Sequence, residues 1–269
     1  YWAASARLGA DTAFDENVWK IGKRLQTKLF NAAKFVLAQT GVQAPISEEL
    51  DRAFVARLRA LVADATQNFE AYQYAHALQE TESFFWTHFT DTYLELAKSR
   101  ARAFADGATG GAAEASGSAV ASLRLGLSVL LRLFAPVLPY ITEEIFSWVF
   151  AGGLAERGRG SSIHVAPWPG EDDFTGIAAP ANAESFDVAV AALAAINKAK
   201  ADAEVSMGRE VESLELGASP ATLSVFEGVA QDVLAAARVA RAERCPREDL
   251  EAGAFEIVAI VFAERPPRD

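Results

Sequence analysis

The sequence has little of several residue types, and each shortage excludes a class of protein. Among 269 residues there is one cysteine, Cys245, which excludes an internal disulfide or cysteine-based zinc site and fits a reducing compartment. No uninterrupted apolar run approaches the roughly 18 residues of a membrane span, so we expect a soluble, cytoplasmic protein without a membrane partner. The 25 Lys and Arg against 36 Asp and Glu give a net charge of −11, which excludes a nucleic-acid binder that is basic overall.

The residues that usually carry catalysis do not form a self-contained active site. The three histidines lie far apart, and none belongs to an HExxH motif. The glycine pairs at 110–111 and 152–153 lack the pattern of a phosphate-binding loop. His88 lies in an aromatic run and His164 beside Pro167, which favours structural roles for both. We therefore predict no catalytic residue and no metal site.

The start of the chain is typical of an interior stretch of a longer protein. It begins with Tyr1 rather than Met, and residues 1–7 have the pattern of a helix end without a start signal. We interpret the chain as a fragment, so that catalytic residues could lie upstream of it.

A helical period dominates the first 150 residues, and alternation characterises the end of the sequence. The fold class that we predict is mainly α: an antiparallel helical bundle with a small C-terminal α+β appendage. Residues 105–119, which are almost all Ala, Gly, Ser or Thr, are predicted to be a mobile linker. Helices are predicted over residues 15–39, 74–104, 120–134, 140–150, 184–203 and 221–241, and a further helix is predicted to begin at a Ser47 cap. Strands are predicted around residues 211–216 and 255–262.

The first long helix carries two different faces. An apolar stripe predicts the core side: Ile21, Leu25, Leu29, Ala32 and Val36. A second arc holds donors and a ring: Lys20, Arg24, Lys28, Asn31 and Phe35. From Val18 to Phe35 there are five basic residues and no acidic one. Lys and Arg can neutralise phosphates, Asn can read a base edge and Phe can stack on an unpaired base. A solvated basic face with one incidental Phe explains the same pattern.

Four segments in this order carry a family resemblance: Lys20–Leu37, Phe85–Lys98, Leu133–Ile145 and Ala166–Pro169. They resemble the anticodon-binding domain of the valyl-tRNA synthetase family, and residues 1–15 resemble the stretch that follows its catalytic domain. The resemblance covers most of residues 1–170. It implies three domains: 1–14 as the tail of the catalytic region, 15–170 as the bundle of the class I synthetase anticodon-binding type, and 171–269 as a long helix with an α+β subdomain.

The resemblance also implies a function. Family members use ATP and Mg²⁺ to attach valine to tRNA(Val), whose anticodon loop would meet Lys28, Asn31 and Phe35; Lys20 and Arg24 are our extension of that face. The other implied partner is the enzyme's own catalytic domain, and DNA is not one. Because the chain has no HIGH-like or KMSKS-like motif and no editing domain, we predict that it is inactive alone and has no cofactor of its own.

Three alternatives stay open at this point. The chain could be the same region of a related class I synthetase for isoleucine or leucine. It could be a helical protein-interaction module whose basic face binds an acidic partner. A complete small enzyme is disfavoured by the scattered titratable residues.

Overall fold

The computed structural model describes residues 1–156 and 162–264, with the backbone alone described for residues 149–156. A helical bundle is followed by a small sheet with helices against it, which confirms the predicted fold class. The elements are α1 (Trp2–Ser5), α2 (Glu16–Ala38), α3 (Glu49–Glu70), α4 (Tyr74–Phe84), a π-helical segment (Phe85–Tyr93), α5 (Leu94–Arg102), α6 (Gly111–Phe134), α7 (Pro139–Glu156), α8 (Ser185–Asp202), β1 (Val211–Ala218), α9 (Pro220–Glu227), α10 (Ala230–Ala236), β2 (Val239–Pro246) and β3 (Phe255–Phe262).

The bundle core is built around stacked aromatic rings. Phe54 of α3 stacks on Tyr93, with ring centroids 3.9 Å apart and planes 3° from parallel. Gly126 of α6 lets the rings of Phe54 and Phe89 approach, because a Cβ there would lie 3.0 Å from each. The apolar periodicity of the helices after α2 predicts five core side chains, and all five are fully buried: Phe54, Phe85, Phe89, Leu127 and Phe134.

Helix α2 begins one residue after its predicted start. The Asp15 carboxylate caps it by accepting a hydrogen bond from the Asn17 amide at 2.8 Å. Four members of its predicted apolar stripe are buried, but the assignment of Ile21 to the core is wrong because its side chain is 43% exposed. Gly22 faces inward instead. The ring of Tyr1 packs on it so closely that a Cβ would lie 2.7 Å from the ring. The first turns of α2 therefore contact the N-terminal segment of the chain.

The prediction of a linker over 105–119 is wrong for its second half. Helix α6 already begins at Gly111, and the side chains of Ser116 and Ser118 are buried. The Ser118 hydroxyl accepts hydrogen bonds from the Ser47 and Glu48 amides, at 3.0 and 3.2 Å. These amides lie just before α3. The predicted Ser47 cap is wrong, because Glu48 occupies the N-cap position and its side chain makes no capping hydrogen bond. Small residues allow close packing here.

The predicted helix over 221–241 is also wrong, because two short helices and a strand replace it. The chain leaves α10 at Arg238, which has a φ of +55°, and enters β2. The strand order is β2-β1-β3, with β1 parallel to β2 and antiparallel to β3. The helix predicted over 140–150 is longer than expected, because it continues to Glu156. The domain division at 170 and 171 stays a prediction.

Helix α6 is long and apolar enough to cross a membrane, and within the described ranges it is the one helix of which this is true. Of its most apolar stretch, 78% is buried inside the protein. Its apolar character is that of the central helix of a bundle.

Candidate nucleic-acid interface

The exposed flank of α2 and the ring of Trp86, in the π-helical segment, form an open groove of about 770 Å³. The groove residues on α2 recur every three or four positions, which places them on one face of the helix. Its lining residues are Trp19, Lys20, Lys23, Arg24, Thr27, Lys28, Asn31 and Trp86. The groove thus combines four cationic side chains, one amide and two indoles.

The groove concentrates positive charge on a chain of net charge −11. Lys20 has a weak partner, since its Nζ lies 4.0 Å from a Glu16 carboxylate oxygen and both side chains are largely exposed. Arg24 makes no ion pair with any residue that the structure describes. Exposed cations of this kind favour binding of a nucleic acid, because they release its condensed counterions when they neutralise its phosphates.

Lys28 is held by contacts across the groove. Its Nζ lies 3.1 Å from an Asp91 oxygen and 5.3 Å from the centroid of the Trp86 ring. The Thr90 hydroxyl donates to the same Asp91 oxygen at 3.0 Å. Trp86 and Asp91 both belong to the π-helical segment, so this segment supplies the second wall of the groove. A phosphate would have to compete with Asp91 for Lys28.

The structure brings together four of the five residues predicted from sequence: Lys20, Arg24, Lys28 and Asn31. Phe35 lies outside the groove lining. Its ring is half-buried against the core, and the Arg102 guanidinium lies 5.5 Å from the ring centroid. Four lining residues are not in the predicted set: Trp19, Lys23, Thr27 and Trp86. The first three share the helical spacing of the predicted arc, which could have found them, whereas Trp86 belongs to another helix.

We expect Phe35→Ala to lower the melting temperature, because the ring contacts both the core and Arg102. The position of Phe35 on the arc opposite the apolar stripe would by itself predict an unchanged melting temperature. Thermal unfolding followed by circular dichroism measures the effect. An unchanged melting temperature would show that the ring contributes nothing to the bundle.

The surroundings of His88 indicate a structural role. His88 stacks between Phe84 and Phe186, with ring centroids 5.1 and 5.9 Å away. Burial lowers the pKa of His88, and the nearby Arg57 guanidinium acts in the same direction. His88 is therefore a neutral packing residue at pH 7. Within the described part of the chain, no group of three or more His, Cys, Asp or Glu side chains could hold a metal ion.

The fold belongs to a known class of protein. Residues 51–216 match the family model described as the anticodon-binding domain of tRNA ligase, so this chain belongs to that family. The matched range includes Trp86 and Asp91 and begins after α2.

Curated relatives extend the comparison over α2. The chain is 46% identical to a valine–tRNA ligase of Thermobifida fusca over 222 residues, which are 79% of the chain and 23% of that protein. The corresponding protein of Salinispora arenicola is 41% identical over 257 residues, 88% of the chain and 28% of the relative. That of Leifsonia xyli is 38% identical over 279 aligned positions, covering 100% of the chain and 29% of the relative. The resemblance seen in the sequence is confirmed, and the chain spans about a quarter of the length of these relatives.

Proposed function

We propose that this chain is the anticodon-binding region of a valine–tRNA ligase and that its α2 groove binds the anticodon loop of tRNA(Val). In this proposal, Lys20, Arg24 and Lys28 contact backbone phosphates, and Asn31 contacts a base. Phe35 is a candidate base contact from the resemblance, at the position one turn beyond Asn31. Domain boundaries after residues 14 and 170 belong to the same proposal.

The observation that carries the proposal is the composition of the groove. Four cations, an amide and two indoles line one open surface of a protein whose net charge is −11. Phosphate neutralisation, base-edge hydrogen bonding and ring stacking are the three contacts that single-stranded RNA loops offer. An acidic protein partner would use the cations but would have no need for the amide and the rings together.

The chemistry of the whole enzyme would lie outside this chain. We propose that the full-length protein activates valine with ATP and Mg²⁺ in a catalytic domain that contacts the N-terminal segment. The sequence contains neither the HIGH-like nor the KMSKS-like motif that the resemblance associates with the ATP site. The chain alone should therefore not catalyse valine-dependent exchange of pyrophosphate into ATP. A cytoplasmic location follows from this role, and the burial of the apolar helix α6 supports it.

Competition between tRNAs tests the proposed partner. We expect unlabelled tRNA(Val) to displace labelled tRNA(Val) from the chain at lower concentration than tRNAs with other anticodons. Asn31→Ala should narrow that difference by about 1–3 kcal/mol, because a base-edge contact carries sequence information and a phosphate contact does not. Fluorescence anisotropy at fixed salt measures both. Equal displacement by all tRNAs, or by an acidic protein in their place, would contradict the proposal.

A further inference from the structure

The indole of Trp19 has a setting that the packing of the fold does not explain. The side chain is 55% exposed, and it is not among the described residues that pack against the hydrophobic core. It lies instead in the lining of the cationic groove, beside Lys20 and Lys23. A large apolar ring left in water within a polar site is characteristic of a surface that a ligand covers.

The contact that Trp19 does make is compatible with a stacking role. The Lys23 Nζ lies 5.7 Å from the centroid of the indole ring. This cation–π contact restricts the ring and brings a positive charge next to it. A nucleotide bound there would place its base on the ring and its phosphate near the ammonium group, which is the combination of stacking and charge used by single-strand binding sites.

The length of the groove fits a short run of bases. Trp19 lies nine residues before Lys28, which corresponds to about 13 Å along the helix axis. Lys28 contacts the ring of Trp86 at the other end of the groove. Stacked nucleotides rise by about 3.4 Å each, so this length of helix corresponds to roughly three stacked bases between one aromatic ring at each end. Trp19 is thus placed to receive the base at one end of such a run.

We propose that Trp19 is a stacking platform for an unpaired base of the bound RNA loop. This inference rests on the proposed function, because it assumes that RNA occupies the groove. It adds a binding residue at the N-terminal end of α2, on the opposite side of Asn31 from Phe35.

A binding measurement with a short RNA hairpin that carries the anticodon stem-loop of tRNA(Val) tests this role. Loss of one base–aromatic stack weakens binding by about 5-fold to 150-fold, and we expect Trp19→Ala to fall in this range. Trp19→Phe should restore most of the affinity, because it keeps an aromatic face. Tyr140→Ala is the matched control: its ring is 89% exposed and lies outside the groove, so RNA binding should be unchanged. All three variants should keep the native melting temperature.

Hairpins with one loop base removed identify the partner of the ring. If Trp19 stacks on a particular base, removing that base and removing the ring should weaken binding by the same factor, and the two changes together should add little more. If the native chain binds no hairpin, the proposed function itself is wrong. If the native chain and Trp19→Ala bind the hairpin equally well, the stacking role is wrong while the proposed function stands. The same conclusion follows if the affinity lost with the Trp19 ring adds fully to the affinity lost on removal of each loop base.

Discussion

Replacing Arg100 by methionine should lower the free energy of unfolding by about 3–5 kcal/mol, because it leaves two buried carboxylates without their cation. Arg100 of α5 donates to Asp51 of α3 through Nη1 and Nη2, both at 2.7 Å. It also donates to Asp232 of α10, from Nε at 2.8 Å and from Nη2 at 3.0 Å. The guanidinium therefore joins the bundle to the C-terminal sheet region, and its loss should destabilise both.

A second substitution on the same helix provides the control. Arg102→Met removes the same charge two residues away, where the guanidinium is exposed above Phe35. We expect this variant to lose less than about 1 kcal/mol. Denaturant unfolding at pH 7 compares the two variants. Equal stability losses would contradict the assignment of a structural role to the buried network, because they would show that the charge rather than its burial matters.

The burial of Asp232 predicts which residue of the network can be replaced with the smallest loss of stability. Burial raises the pKa of Asp232, and Arg100 opposes this shift without cancelling it. The contribution of Asp232 to stability is therefore fully present below its unfolded pKa and is lost as pH rises through its folded pKa. Asp232→Asn removes a negative charge whose burial is unfavourable and leaves Arg100 paired with Asp51, so it should cost much less than Arg100→Met. A larger cost would show that the ionised carboxylate is required.

The helices could be predicted from the sequence because their signals are local. The helical period predicts a helix over 15–39, which agrees with α2 to within one residue at each end. The same kind of signal fails at residues 111–119, where small residues look like a linker. Ser118 is buried because it donates to Asp51 at 2.6 Å and accepts from two amides of the α3 start. These partners lie about seventy positions away in sequence, so no local pattern reveals them.

The region between α9 and β2 shows a second limit of local patterns. The sequence over 221–241 has a helical composition, but Val239 pairs with Val211 and extends the sheet. Parallel pairing depends on a distant strand and on the turn at Arg238, which has a positive φ. Tertiary contacts therefore override helix propensity here.

Only the α2 side of the groove could be predicted from the sequence, because only that side depends on a local pattern. Its cations and Asn31 lie on one helix, where a 3.6-residue period brings them together. The second wall comes from the π-helical segment, whose wider turn changes the direction of the side chains around Trp86. An aromatic run at helical spacing predicts core packing, and most of this run is core. The position of Trp86 at the groove depends on how this helix packs beside α2.

Replacing Lys20, Arg24 and Lys28 together by alanine should weaken RNA binding about 100-fold near 0.1 M salt. Each phosphate neutralised on a single strand contributes about 0.7 to the slope of log affinity against log salt concentration. Three lost contacts should therefore flatten this slope by about two units. Because these are phosphate contacts, affinity for tRNA(Val) and for other tRNAs should fall by the same factor.

A control with the same change in net charge separates the groove from general electrostatics. Lys98, Arg241 and Arg247 are cations outside the groove, each paired with a nearby carboxylate. Replacing these three by alanine should leave the slope unchanged, because no phosphate reaches them in the proposed complex. Titrations of both variants over a range of salt concentrations, with melting temperatures measured alongside, distinguish the outcomes. If the two triple variants lose affinity equally, the protein attracts RNA through its overall field, and the α2 groove is not the binding site.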